Sequence, residues 1–271
     1  MVLALIGCGN MGQAMVRGFL QKNLLTGSDL RLFDSDHNKL LEFAGQVSAT
    51  ACESSAAAVE GADVVLLAVK PQVIENAVSA FAPKVPENAI LVSIAAGVSI
   101  SRLRRMMQPN IALARVMPNT PAMVGSAVSA VCYDRASHLQ KQQVESLLNS
   151  CGLVFPVQEK LMDAVTGLSG SGPAYVMLII EAMADAGVLE GLPRDMAIRM
   201  AAMTLLGSAR LVLDSGLHPA VLKDQVCSPG GTTIEAVKVL EEHGLRASLI
   251  NAVSAAAEKS RELSAQADSH V

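Results

Sequence analysis

The segment Gly7-Cys8-Gly9-Asn10-Met11-Gly12 constrains this chain more than any other. It follows a short apolar run, Val2–Gly7, and leads into the helical pattern Gln13–Leu20. That is the strand–turn–helix context in which G-x-G-x-x-G sequences hold a dinucleotide. Gly7 permits the tight turn, Gly9 lets main chain approach a pyrophosphate, and Gly12 allows close helix–strand packing. The following helix then presents unpaired N–H groups to the phosphates. Cys8, Asn10 and Met11 complete the candidate loop. A bare glycine triplet would signify only a flexible turn; the two flanks carry the reading.

From Val2 to about Pro156, short apolar runs alternate with helical patterns, as in parallel strands joined by crossover helices. Strands are expected at Val2–Gly7, Leu30–Asp34, Asp63–Val69, Ala89–Ile94, Ile111–Met117 and Ala127–Cys132. Beyond Leu161 the strand signals stop, and stretches rich in Ala, Leu and Met at helical spacing continue to a polar tail, Gln266–Val271. Helices are expected near Leu161–Gly167, Pro173–Leu189, Arg194–Asp214, Pro219–Val226, Thr232–Glu242 and Arg246–Leu263. The expected fold is therefore α/β: a Rossmann-type, doubly wound parallel sheet over residues 1–156, followed by an all-helical domain over residues 157–271.

Further ligand residues are expected where open α/β sheets bind, at the carboxyl ends of strands. Ala68-Val69-Lys70-Pro71 ends the third strand, Ala95-Ala96-Gly97 follows the fourth, and Met117-Pro118-Asn119 follows the fifth. Asp34 closes the second strand, about 22 residues after Gly12, where a carboxylate accepts hydrogen bonds from an adenosine ribose. That favours NADH. Ser35, His37, Asn38 and Lys39 lie just beyond and could instead receive the extra phosphate of NADPH, so the choice between NADPH and NADH stays open at this level.

Composition narrows the classes. The 271 residues are 51% apolar and 17% charged, oilier than an ordinary soluble domain, so a large subunit interface is expected. A net charge of -4 and the absence of Trp leave little for nucleic acid to hold. The longest continuous apolar stretch, Ala174–Ile180, is too short for a membrane span, and Met1–Ile6 lacks the form of a secretion signal. Five scattered cysteines with no C-x-x-C pair and no suitably spaced His argue against a metal site and for a cytoplasmic protein.

The glycine loop is shared by several reductases; the helical half is more specific. Gly170-Ser171-Gly172-Pro173-Ala174-Tyr175 and Asp224-Gln225-Val226-Cys227-Ser228-Pro229-Gly230-Gly231-Thr232-Thr233-Ile234 resemble the two signature segments of pyrroline-5-carboxylate reductases. Ala-Val-Lys-Pro and Met-Pro-Asn-Thr-Pro are similar to that family in the same order. The resemblance implies NAD(P)H-dependent reduction of 1-pyrroline-5-carboxylate to L-proline. It further implies interleaved helical domains forming a homodimer, with the active site between a nucleotide domain and the helices; no sequence feature counts subunits above the dimer. Substrate-binding roles carry over to Ser228, Gly231, Thr232 and Thr233. One departure is Asp34-Ser35-Asp36, where members that prefer NADPH often carry a neutral or basic turn.

The residues themselves suit that chemistry. Ser228–Thr233 reads as a loop ending at a helix N-terminus, whose Gly230, Gly231 and Thr232 amides can grip a carboxylate while the Thr233 hydroxyl serves the ring nitrogen. Dehydrogenases of the β-hydroxyacid type, an alternative, carry a Lys on the first helix after the linker, but Gly167–Glu181 contains neither Lys nor His. A non-catalytic dinucleotide sensor, another alternative, has no need for a carboxylate-gripping turn. His218 is expected as a cap, Tyr175 as interface packing, Glu181 and Asp185 as exposed or helix-capping acids, and Lys223 with Asp224 as a brace beside the signature.

Overall fold

The computed structural model describes residues 1–269; the last two residues of the expected polar tail, His270 and Val271, lie outside the described residues. Strands form where the apolar runs were expected: β1 (Leu3–Ile6), β2 (Leu30–Phe33), β4 (Val64–Leu67), β5 (Ile90–Ser93), β6 (Ala112–Met117) and β7 (Ala127–Asp134). Two more, β3 (Thr50–Ala51) and β8 (Gly152–Pro156), complete an eight-stranded sheet ordered β3-β2-β1-β4-β5-β6-β7-β8. The order reverses direction between β1 and β4, which places a crevice at their carboxyl ends.

One expectation fails at β6 and β7, which pair antiparallel, with Ala114 opposite Tyr133 and Val116 opposite Val131. The link from Pro118 to Ser126 is too short for the helical crossover that a parallel neighbour requires. The remaining pairs are parallel. The edge strands escaped the apolar-run criterion because β3 is two residues long and β8 runs from a glycine to a proline with Leu153 and Phe155 half-exposed.

Helices α1 (Asn10–Gln21), α2 (His37–Val47), α3 (Ser55–Val59), α4 (Ile74–Ser79), α5 (Ile100–Met106) and α6 (His138–Asn149) cover the sheet. The period of two along β1 explains the two layers. Leu3 and Leu5 join Phe19, Phe43 and Leu147 in one core, whereas Ala4 and Ile6 join Ile74, Phe81 and Leu103 in the other. Fully burying each such Leu or Phe contributes about 1.5–3 kcal/mol.

The chain then continues as α7 (Met162–Val165), a π-turn over Thr166–Gly170, α8 (Gly172–Leu189), α9 (Arg194–Ser215), α10 (Pro219–Val226), α11 (Thr232–Glu242) and α12 (Leu245–Ser269). Two compact units result: residues 1–171 with 255–271, and residues 172–254. This division differs from the boundary expected after Pro156. Met162 packs in a small core with Ala130 and Cys132 of β7, and Ser260 of α12 donates to Asp163 Oδ1 at 2.7 Å. Both ends of the helical region are thereby tied to the unit that carries the sheet.

Within the second unit, α8 and α9 meet along the small residues Ala184, Ala197 and Ala201. A Cβ on Gly187 would lie 3.1 Å from Ala197 Cβ, so glycine sets how closely they approach. Met177, Leu178, Met203 and Leu206 point outward, each more than 60% exposed. Over the helical stretch Glu159–Leu189 and over α9 the chain is long and apolar enough to cross a membrane, although no single uninterrupted apolar run suggested it. Apolar surface on this scale marks a face that another protein surface or a lipid phase covers.

Candidate active site

Four loops converge at the carboxyl ends of β1, β4, β5 and β6. Gly7 has φ +99° and donates its N–H to Phe33 O at 2.8 Å; a Cβ there would lie 2.7 Å from Ala68 O. Both the backbone conformation and the space exclude a side chain. Gly12 is buried, and a Cβ on it would meet Gly7 O at 2.7 Å and Leu5 Cδ1 at 3.1 Å. Gly9, in contrast, has nothing within 4 Å of a notional Cβ. It is the N-cap of α1 in extended conformation, with no side-chain cap and no acidic residue in the first turn. The helix therefore offers unneutralised N–H groups to the open space above Gly9.

That space is a trough. One cavity of about 550 Å³ is lined by Gly9, Asn10, Met11, Ala68, Val69, Lys70, Pro71, Ala95, Ala96, Met117, Pro118 and Asn119. A second, of about 520 Å³, adds Gly7, Asp34, Ser35 and Lys39 and shares Gly9, Ala68, Val69 and Lys70 with the first. The expected cofactor residues thus fall along one continuous surface, with three exceptions. Cys8 turns its side chain into the core, Gly12 lies beneath the loop, and Gly97 lines a neighbouring cavity of about 560 Å³ with Pro71, Arg102, Thr166 and Lys259.

Hydrogen bonds stiffen the trough. Cys8 N–H donates to Asp34 Oδ2 at 2.6 Å and Asp36 N–H donates to Asp34 Oδ1 at 2.8 Å. Gln13 Nε2 donates to Cys8 O at 2.9 Å, bracing the loop from its own helix. Burial first, and the neighbouring Asp34 second, push the Cys8 thiol up to about 12, so it remains a neutral thiol near neutral pH. Asp36 caps α2 by accepting from Lys39 N–H at 3.1 Å; that bond first, and the Lys39 ammonium after it, lower its pKa.

Asn119 serves the wall of the site. Only 7% exposed, it donates from Nδ2 to Ser169 O at 3.1 Å and accepts at Oδ1 from Val128 N–H at 2.9 Å. Most of its amide is committed to holding the Met117–Asn119 loop, leaving one N–H for a ligand. Glu159 similarly accepts from Ile100 N–H at 2.7 Å and from Arg115 Nη1 at 2.9 Å, fixing the start of α5 behind the Ala95–Gly97 loop. Neither partnership has a local sequence signal, because the partners are 44 or more residues apart, Val128 excepted. Ser55, Asn76 and Ala77, which line the Asp34 cavity, likewise have no local sequence signal.

The second signature lies in the other unit. Gly231 N–H donates to Ser228 O at 3.0 Å and Gly230 has φ +65°, so Ser228-Pro229-Gly230-Gly231 is a turn with proline second and a left-handed glycine third. This corrects one expectation: the Gly231 amide closes the turn and is not offered to a ligand. A Cβ on Gly231 would require Ser228 Oγ to turn aside and would lie 3.2 Å from Ser228 O. Gly231 is then the N-cap of α11 without a side-chain cap, and the amides of Thr232 and Thr233 are the first of the helix. Ser228, Gly230 and Thr232 are exposed, and Thr233 is half-buried. Lys223 and Asp224 pair at 2.6 Å just before the turn, and His218 caps α10 by accepting from Ala220 N–H at 3.2 Å.

Among the described residues no cluster of His, Cys, Asp and Glu could hold a metal ion, and all five cysteines are free. Residues 159–263 match the family model described as pyrroline-5-carboxylate reductase dimerisation, and residues 2–97 match that of NADP oxidoreductase, coenzyme F420-dependent. A pyrroline-5-carboxylate reductase of Glycine max is 43% identical over 97% of this chain and 96% of its own length. That of Escherichia coli K12 is 39% identical over 97% and 98%. Among solved structures, Plasmodium falciparum pyrroline carboxylate reductase with NADP bound superposes with a TM-score of 0.88, at 31% identity over 97% of this chain and 98% of that one.

Proposed function

The chain belongs to the pyrroline-5-carboxylate reductase family, and from that premise we infer how its own residues bring about the reduction of 1-pyrroline-5-carboxylate to L-proline. NAD(P)H, when bound, supplies the hydride that adds to the imine carbon. The glycine loop and the uncapped N-terminus of α1 hold the pyrophosphate through backbone N–H groups. Ala68–Pro71, Ala95–Gly97 and Met117–Asn119 receive the nicotinamide end, where small residues and buried Pro118 give a close, rigid wall. The trough carries this part of the reading, because its residues come from five different strand ends and line two cavities that share Gly9, Ala68, Val69 and Lys70.

The turn at Ser228–Thr233 holds the substrate. Its carboxylate rests on the leading amides of α11, chiefly those of Thr232 and Thr233, where the helix dipole adds to the hydrogen bonds. Ser228 and Gly230 shape the turn, and Gly231 locks it. The Thr233 hydroxyl lies at the second helical position, suited to the ring nitrogen. A protonated cyclic imine is already an electrophile, so catalysis rests on alignment and on a hydrogen bond to nitrogen rather than on a strong base. No side chain with a displaced pKa is needed at the turn.

The helical region dimerises, and its exposed Met and Leu faces are what a second copy covers. Dimers are free to assemble further. Five free thiols fit the reducing cytosol, which we take as the compartment, and the excess of acid over base leaves nucleic acid out of the partners. The membrane is left out as well, since the dimer buries the apolar helices.

The experiment is direct: purified protein, 1-pyrroline-5-carboxylate and reduced nucleotide labelled with deuterium at the nicotinamide C4. Proline carrying deuterium on its δ carbon is expected. Folded protein that oxidises neither NADH nor NADPH with this imine refutes the reading.

A further inference from the structure

We propose that Asp34 makes this enzyme an NADH-preferring reductase, by fixing a carboxylate where the 2′-phosphate of NADPH would have to sit. The proposal rests on the reading of the Gly7–Gly12 loop as the dinucleotide site. Asp34 follows β2, the strand beside β1, and lines the cavity of about 520 Å³ together with Gly7 and Gly9. The adenosine half of a dinucleotide whose pyrophosphate lies over Gly9 falls in this cavity.

Two anchors remove the freedom of that side chain. One carboxylate oxygen accepts from Cys8 N–H at 2.6 Å and the other from Asp36 N–H at 2.8 Å. Each oxygen keeps a lone pair that can accept a hydrogen bond donated by a ribose hydroxyl. A phosphate at the 2′ position has no proton to give at neutral pH and brings about 1.5 to 2 negative charges. Turning Asp34 aside to admit it would break both anchors, one of them on the glycine loop itself.

The neighbouring charges do not rescue NADPH. Lys39, in the first turn of α2, lines the same cavity, but its ammonium lies 3.7 Å from Asp36, which also caps α2. Asp34, Asp36 and Lys39 together leave the segment from the end of β2 to the first turn of α2 with a net negative charge. Lys70 lines both cavities, so it stands where they merge near Gly9, in position for the pyrophosphate rather than for the ribose. Among the described residues no arginine lines either cavity. The Plasmodium falciparum relative, solved with NADP bound, shares the fold at 31% identity.

The test is equilibrium binding without imine, read by the fluorescence of the reduced nicotinamide or by calorimetry. Wild-type protein should bind NADH at least about tenfold more tightly than NADPH, the gap narrowing as salt is added. Asp34→Asn keeps an acceptor for Cys8 N–H and removes the charge, and should shift the ratio of dissociation constants at least about tenfold toward NADPH. Should that variant fail to fold, displacement of NADH from wild-type protein gives the same information: 5′-AMP should compete better than adenosine 2′,5′-bisphosphate. Equal or tighter binding of NADPH by wild-type protein overturns the proposal, as does an unchanged ratio in Asp34→Asn or better competition by the bisphosphate. Because no turnover is involved, such a result leaves the reductase reading standing, whereas absence of binding by either nucleotide would undo that reading first.

Discussion

Replacing Gly9 with aspartate should make the free protein more stable while depriving it of its cofactor. Gly9 is the N-cap of α1, with φ -74° and ψ 174°, and the helix has neither a side-chain cap nor an acid in its first turn. A Cβ at this position meets nothing within 4 Å, so the substitution brings no clash. Aspartate at an N-cap accepts from a leading N–H and opposes the helix dipole, a gain of about 0.5–1 kcal/mol over glycine. For a chain of this size that is a rise of about 1–4 °C in Tm. The same carboxylate would stand where the pyrophosphate is held, and two unit charges about 4 Å apart near a protein surface repel by about 4 kcal/mol. Even half of that weakens binding more than tenfold, and the full value about a thousandfold. Gly12→Ala is the contrasting case: a Cβ 2.7 Å from Gly7 O should cost about 1–3 kcal/mol of strain against about 1 kcal/mol of helix propensity gained, giving a lower Tm. The assay is thermal unfolding with and without saturating NADH, where wild-type protein at a hundred times its Kd should gain about 2.7 kcal/mol. If the Gly9→Asp protein gains the usual stabilisation from NADH, the assignment of this helix end to the pyrophosphate is wrong; a melting point below wild type without cofactor would refute the capping argument.

Three further outcomes follow from the same geometry. Thr233→Ala should lower kcat/KM by about tenfold or more in steady-state assays while nucleotide affinity stays nearly constant; unaltered turnover would remove the hydroxyl from the mechanism. Asn119→Ala severs bonds to Ser169 O and Val128 N–H in a buried setting and should destabilise the protein by about 2–3 kcal/mol, with KM for the nucleotide rising as the Met117–Asn119 loop loosens; a Tm equal to wild type would contradict this. Cys8, with its thiol pushed up to about 12, should resist iodoacetamide at pH 8 in native protein, as peptide mass spectrometry would reveal. Because its folded pKa lies above the ordinary 9.0, the buried neutral thiol favours folding below pH 9. That contribution should decline as pH rises from about 9 toward 12, a loss a Cys8→Ala variant would not share.

The strands that sequence made legible are those buried on both faces, where every residue of Leu3–Ile6 or Val64–Leu67 must be apolar. The edge strands β3 and β8 are held by a single neighbour and carry no such requirement, so their sequences read as loop. Helix α12 outruns its expected end at Leu263 because the residues beyond it, Ser264–Ser269, include no large apolar side chain for a search for apolar spacing to find. In the site, glycine positions were legible because sterics there are local: Gly7 and Gly12 forbid a Cβ wherever the loop occurs. The engaged amide of Gly231 was also within reach, since Pro-Gly at the centre of a turn directs the fourth N–H to the first carbonyl. The commitments of Asn119 and Glu159 were not, for they join segments that only folding brings together.

The most direct test of the account is a crystal grown with L-proline and oxidised nucleotide together. The amino acid's carboxylate should lie within hydrogen-bond reach of the Thr232 and Thr233 amides, its ring nitrogen near the Thr233 hydroxyl, and its δ carbon against the nicotinamide C4. Proline bound with its carboxylate on a side-chain cation, or with the Ser228–Thr233 turn empty, would contradict it.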